Sequence, residues 1–156
     1  MSDDVWLDDE QQQHWRAYLR GSRLLERALV DDLAPFGIQL TEYELLSMLS
    51  ESPGQRMRMS RLADDIIQSR SRVTHTAARL EKRGWVERCR SVDDGRGVEI
   101  SLTDTGREAL AELALAHVQS VRRHLVDALP PEQFAALGAA MATLRDQMAP
   151  QHHEIG

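Results

Sequence analysis

The chain has 156 residues, 42% of them apolar, which suits one ordinary domain with a usable core and excludes a disordered composition. Its formal charge of −6 is unevenly spread: residues 56–107 carry twelve Lys/Arg against eight Asp/Glu, a balance of +4, while the remainder carries seven against seventeen, a balance of −10. No apolar run reaches the length of about eighteen residues that a membrane helix needs, and the start Met1-Ser2-Asp3-Asp4 is acidic where a leader would be basic, so a cytoplasmic protein with no membrane partner is expected.

The lone Cys89 leaves no internal disulfide and no paired-cysteine zinc site. Eighteen of the nineteen basic residues are Arg, and only Lys82 is Lys. Arg favours bidentate contacts to phosphate or guanine, although genomic base composition produces the same bias.

In chain order, Trp15, Tyr18, Leu19, Leu25, Leu29 and Leu33 recur at helical steps and predict a first helix, ended by Pro35 and Gly37. Thr41 with Glu44 has the form of a capping box and predicts a short second helix, stopped at Ser52-Pro53-Gly54. Ser60 is expected to cap a third helix bearing Leu62, Ala63, Ile66 and Ile67, and Ser69 a fourth that runs to Arg83 before Gly84. The spacing is that of a helix-turn-helix. Residues 85–90 and the alternating residues 98–102, joined by an Asp/Gly-rich turn, predict a β-hairpin. Thr103 should cap a long fifth helix with Leu110, Leu113, Ala114, Val118, Val121, Leu125 and Leu129 on one face. Pro130-Pro131 breaks it, and a sixth helix carries Phe134, Leu137, Met141, Leu144 and Met148 in a coiled-coil-like seam.

These elements give a mainly α fold with a small β-hairpin wing: a winged helix-turn-helix head on a helical dimerisation region. The expected divisions are 1–36 as an N-terminal dimerisation helix, 37–106 as the DNA-binding region, and 107–156 as C-terminal dimerisation helices and tail. The outer helices have apolar faces and few partners on so small a head, so a second copy is expected to cover them.

On a helical wheel the fourth helix turns Val73, Ala77 and Leu80 inward and Ser71, His75, Ala78 and Lys82 outward, with Arg72, Thr74, Arg79 and Arg83 on the flanks. Such a helix can enter a major groove, its polar residues reading base edges while Arg side chains hold phosphates. A solvated basic surface helix has the same pattern. The hairpin favours DNA, because Arg88, Arg90 and Arg96 lie on or beside a short loop, where an Arg suits a narrow minor groove and Asp94 can orient Arg96.

Ser60-Arg61-Leu62-Ala63, Ser69-x-Ser71-x-Val73-Thr74, residues 79–86 (RLEKRGWV), Asp94-Gly95-Arg96 and residues 102–107 (LTDTGR) together resemble the MarR-type winged helix-turn-helix regulators. The resemblance implies an obligate homodimer, interlocked through its terminal helices, presenting two heads to a pseudo-palindromic double-stranded DNA operator. It implies a transcription regulator, most simply a repressor, and no enzyme. It places the DNA contacts at Ser60, Arg61, Ser69, Arg70, Ser71, Arg72, Thr74, His75, Arg79, Arg88, Arg90, Asp94 and Arg96. Two departures stand out: Ile67-Gln68 fills a turn where the family often has Gly, and His75 stands where it often has Arg or another long polar side chain.

Family repressors commonly release DNA when a small aromatic or anionic effector enters a cleft. Trp15, Arg16, Tyr18, Arg20 and His117 are the candidate effector-binding residues, with Trp6, Arg123 and His124 nearby in pattern, although Trp15 and Tyr18 at helical spacing also suit a core. Cys89 suggests a redox switch less well, since a lone strand cysteine usually packs. His152-His153 makes no metal site, His117 and His124 are two turns apart, and no catalytic or nucleotide-binding motif occurs, so no metal and no cofactor are expected. The reading from another class is a winged-helix module that engages an acidic protein partner.

Overall fold

The computed structural model describes residues 5–93 and 95–149. Residues up to Ser120 form one compact unit, and those from Val121 onward form a second.

In the first unit, α1 (Asp9–Leu33) starts ahead of the predicted helix, because Asp8 and Gln11 close a reciprocal capping box before the apolar periodicity begins. It ends in a tight turn over Ala34–Phe36, with Gly37 in the left-handed region at a φ of 67°. The start of α2 (Leu40–Glu51) corrects the expected Thr41–Glu44 cap. Gln39 is the cap residue, and the Glu42 carboxylate reaches back to the Gln39 N–H at 2.9 Å. Glu42 faces inward and is only 2% exposed, whereas Glu44 stays on the surface. The buried carboxylate has hydrogen-bonding needs that the helix end satisfies.

A strand the sequence did not announce, β1 (Arg56–Arg58), leads into α3 (Met59–Asp65). Three residues are too few to display a period of two. Because the strand runs straight into the helix, Arg58 holds the cap position without a side-chain capping bond to the helix, and Ser60 is not the cap. Ser69 does cap α4 (Arg70–Lys82), its hydroxyl accepting from the Arg72 N–H at 3.3 Å. The hairpin forms as β2 (Val86–Arg90) and β3 (Val98–Leu102), and β1 adds to it, giving an antiparallel sheet of order β1-β3-β2. Met57 pairs with Ile100, and Val86 with Leu102, which turns Ile100 and Leu102 toward the helices.

Thr103 caps α5 (Asp104–Val121) as expected, accepting from the Gly106 N–H at 3.0 Å. The uninterrupted fifth helix to Leu129 is corrected: after Val121 the backbone widens into a π turn over Arg122–Val126, with the Asp127 N–H bonded to the Arg122 carbonyl at 2.8 Å. The Arg122 guanidinium also donates to Asp127 at 2.9 Å, closing the same turn through side chains. Beyond it α6 (Pro131–Met148) begins with Pro131 in its first turn, where a missing N–H costs nothing.

The core is built where α2, α3, α4 and the sheet converge: Leu45, Leu46, Leu49, Leu62, Val73, Ala77, Leu80, Val86 and Ile100 are all essentially buried. Leu33 of α1 and Leu110 and Leu113 of α5 join it. Ser120 donates to Asp32 at 2.6 Å, tying the end of α5 to the end of α1. Among the described residues, no helix is long and apolar enough to cross a membrane.

Candidate nucleic-acid interface

The two helices that could engage DNA are joined by a turn of defined geometry. At the end of α3 the Gln68 N–H bonds to the Ala63 carbonyl at 3.1 Å and the Ile67 N–H to the Asp64 carbonyl at 3.2 Å. These are the paired bonds of a Schellman motif, which asks for a left-handed residue at the position Ile67 fills. Ile67 obliges with a φ of 53°, a conformation that a β-branched residue adopts only under strain, and its side chain is 84% exposed. The end of α4 repeats the motif with the customary residue. There the Trp85 N–H bonds to Leu80 at 3.1 Å and the Gly84 N–H to Glu81 at 2.9 Å, with Gly84 at a φ of 74°.

Between these turns α4 sorts its side chains as the wheel predicts. Val73, Ala77 and Leu80 are buried, with Thr76 beside them; Arg70, Ser71, Arg72, Thr74, His75 and Ala78 are exposed. The outer face is partly organised by its own hydrogen bonds. Ser69 and Ser71 hydroxyls lie 3.2 Å apart, and exposed Thr74 donates to the Arg70 carbonyl at 2.8 Å. Ser60 and Arg61 are exposed at the start of α3, and Arg61 lies 3.5 Å from Asp65 one turn on.

The wing has a built base. The Ser91 N–H bonds to the Gly97 carbonyl at 2.8 Å, closing the hairpin, and buried Ser91 accepts from the Arg58 guanidinium at 3.5 Å. Arg58 also lies against Gly97, where an added Cβ would meet its guanidinium at 3.5 Å. Arg90 and Arg96 are exposed on the hairpin. Arg88 turns back instead and pairs with Glu81 of α4 at 2.5 Å. Asp94 lies outside the described residues. Cys89 is exposed on β2, paired across the strands with Glu99.

Arg79, its side chain 45% exposed, is also engaged within the chain. Its Nε donates to the Glu42 carboxylate at 2.9 Å and a terminal nitrogen donates to the Gln39 side-chain oxygen at 2.8 Å. Arg83 donates to the Gly37 carbonyl and lies 4.9 Å above the Trp85 ring. The partners Gln39, Glu42 and Gly37 were not legible, because no spacing rule connects residues 37 to 46 positions apart.

The candidate effector residues fall into two places. Trp15 and Tyr18 stack on α1 at 5.9 Å, and Arg16 and Arg20 line a groove on the same helix with Asp9, Gln12, Gln13 and Ala17. His117 lines another cleft, of ≈ 340 Å³, with Tyr43, Glu44, Ser47, Met48, Glu51, Asp65 and Ile66. Its ring lies against Tyr43 at 4.2 Å between centroids, tilted by 36°, and its Nδ1 is buried with no hydrogen-bond partner among the described residues. Burial holds the His117 imidazole below its usual range, so the neutral form is favoured. Tyr43 and Glu44 are both pushed up, mainly by burial and further by Glu51 and Glu26 respectively. Trp6 is exposed; Arg123 and His124 belong to the π turn of the second unit.

The sequence profile of the MarR family matches residues 38–98. The crystal structure of AbsC, a MarR-family transcriptional regulator from Streptomyces coelicolor, superposes with a TM-score of 0.86 at 43% identity, covering 92% of this chain and 97% of AbsC. That of Sco3205, a MarR-family transcriptional regulator from the same organism in complex with DNA, superposes with a TM-score of 0.90 at 40% identity, covering 97% of this chain and 95% of Sco3205. The transcriptional repressor MprA of Escherichia coli (strain K12) is 36% identical over 77 residues, 49% of this chain but only 44% of MprA, so the chain spans less than half the length of that relative.

Proposed function

The chain belongs to the MarR family of winged-helix regulators, and from that premise we propose that it is a homodimeric, sequence-specific DNA-binding transcription regulator, acting as a repressor on a pseudo-palindromic operator. The observation that carries the reading is the outer face of α4. Ser71, Thr74 and His75 stand exposed on a rigid helix whose other side is locked into the core, with Arg70 and Arg72 beside them. Side chains of these kinds read base edges, while the flanking Arg residues and Ser60, Arg61 and Ser69 meet the phosphate backbone. Arg90 and Arg96 on the wing serve an adjacent minor groove.

The terminal regions, 1–36 and 107–156, supply the dimer interface in this reading. Two heads then bind half-sites about one helical turn apart, the separation being set by the dimer. Occupying such a site blocks access to a promoter. His117 and its cleft form the place where a small molecule would act on the head, with Arg16 and Arg20 belonging to a different surface. The neutral imidazole and the Tyr43 ring on this cleft suit an aromatic ligand such as a phenol.

Selection of duplexes from a randomised pool by the purified chain tests this. An enriched inverted repeat, bound with an affinity that falls steeply as salt rises, is the expected outcome. Retention of all duplexes alike would remove the claim of sequence-specific regulation. Operator release by phenols, lost in His117→Phe, would support the effector site; release unaltered by that substitution would move it elsewhere.

A further inference from the structure

We infer that Arg79 does not read DNA but is the positioning residue that seats the recognition helix on the N-terminus of α2, and that base reading is confined to the first half of α4. The inference rests on the DNA-binding reading above and narrows it. Glu42 is the reason. Its side chain is 3% exposed, and a carboxylate so placed needs both a cationic partner and its full set of hydrogen bonds. Arg79 supplies the charge at 2.9 Å, while the Gln39 N–H takes the second carboxylate oxygen at 2.9 Å. The Arg79 fork also grips the Gln39 side chain at 2.8 Å, so one guanidinium spans the cap residue and the residue that closes the cap. Swinging Arg79 out to a base or phosphate would leave the Glu42 charge buried without its cation.

Neighbouring residues act in the same sense. One turn further on, Arg83 donates to the Gly37 carbonyl just ahead of α2, and Glu81 on the same helix is taken by Arg88 from β2. Arg79 and Arg88, expected in the sequence as DNA contacts, together with Arg83 thus fasten the second half of α4 to α2 and the sheet. Ser71, Thr74 and His75, in the first half, have no such tie to another element among their described hydrogen bonds. The residue after Glu42 on α2, Tyr43, packs its ring against His117, so the segment that receives the recognition helix also receives α5.

The experiment uses the full chain, the duplex it selects from a randomised pool, and the variants Glu42→Gln, Arg79→Met and the two combined, with His75→Ala as the contrast. A positioning role predicts that each single variant loses about tenfold or more in affinity, and that the double variant loses no more than the worse single one. It also predicts an unchanged slope of log affinity against log salt and an unchanged base preference, while His75→Ala shifts preference at one position per half-site. A direct contact would instead flatten the slope by about 0.9 per phosphate lost, or relax one base position, in Arg79→Met but not in Glu42→Gln. That result, parent-like affinity in all three variants, or losses that multiply in the double variant, would overturn the inference. Should a single variant fail to fold by circular dichroism, the double variant, which removes both charges together, decides by its slope and base preference. Failure of the parent to enrich any duplex would sink the DNA-binding reading itself, a different result from any of these.

Discussion

Helix α4 and helix α6 treat their apolar residues in opposite ways. In α4, thirteen residues long, Val73, Ala77 and Leu80 are buried within the single chain, with 1% exposure or less. In α6, eighteen residues long, none is buried: Phe134 and Leu137 are each 36% exposed, Met141 40% and Leu144 42%. Both helices carry apolar residues at helical spacing. The stripe of α4 finds its partners in α2, α3 and the sheet, whereas the α6 seam repeats at steps of three and four with no burial to show for it. A head that is complete in one chain and a seam that is not are the expected parts of a protein that works as a pair.

The sharpest way to break the head alone is Gly106→Ala. A Cβ on Gly106 would sit 2.0 Å from the Trp85 carbonyl oxygen and 2.8 Å from its carbon, both of them backbone atoms that cannot turn aside. The same junction is pinned by Thr103, which donates to the Gly84 carbonyl at 2.6 Å while capping α5. Opening it should cost about 3 kcal/mol or more, as overpacking at its severe end does. Thermal unfolding followed at several protein concentrations is the measurement. A variant as stable as the parent would mean that the β3–α5 junction can shift, and the head would be softer than its burial indicates.

The complementary break is Leu137→Glu with Met141→Glu, placed on the α6 seam. If a second copy covers that seam, the dimer dissociation constant should rise by about a hundredfold or more, roughly 2.7 kcal/mol, with the head still folded by circular dichroism. Sedimentation velocity across a dilution series reads the change. Operator affinity should fall with it, because two half-sites would no longer be bound by one body. An unchanged dimer would move the interface away from α6.

The contrast also explains what could be read from the sequence alone. Helical stripes, the Ser69 and Thr103 caps, the Gly84 stop and the hairpin all depend on residues within a few positions of one another, and each was legible. So was the exposed set Ser71, Thr74 and His75, because three buried neighbours on one helix fix the rest of the wheel. What was not legible is decided at long range. The Thr41–Glu44 box is locally as plausible as Gln39–Glu42, and it lost because Glu42 meets Arg79 across the fold. For the same reason nothing local announces that Arg79 and Arg88 pair with Glu42 and Glu81, or that His117 lies against Tyr43. Strand β1 is visible only through its pairing with β3.

A smaller effect, of opposite sign, is expected at the helix-turn-helix corner. Ile67 and Gly84 occupy equivalent places in two Schellman motifs, yet only Gly84 is suited to its left-handed backbone. Replacing Ile67 by Gly removes a steric cost of about 1–2 kcal/mol but adds flexibility to the unfolded chain, so a net gain of about 0.5–1 kcal/mol is expected. Nothing is lost from the core, since the Ile67 side chain is 84% exposed. Calorimetry should place the melting temperature of Ile67→Gly a few degrees above the parent. A lower value would mean that the Ile67 side chain packs against something outside the single chain, and the turn would then belong with α6 rather than with the self-sufficient head.

The finest distinction concerns pH at the Tyr43–His117 contact. Burial lowers the His117 pKa from its ordinary 6.5, so between the folded value and 6.5 the unfolded chain binds more protons than the folded one. Stability carried by neutral His117 is therefore complete above pH 6.5 and declines as the pH falls below it. Tyr43 lies against the ring, and Glu44, Glu51 and Asp65 line the same cleft. Tyr43 does not titrate in this window, but the raised Glu44 acts in the opposite direction, since its folded form holds a proton more readily and stability falls as the pH rises from 4.5 through its folded value. The comparison must accordingly be made between parent and His117→Phe, which keeps a ring against Tyr43 and leaves Glu44 in place. The parent should lose stability relative to the variant as the pH is lowered from 7 to 5, in urea melts read at closely spaced pH values. A constant difference across that range would show that the imidazole charges without penalty, and that the cleft admits more water than the buried Nδ1 implies.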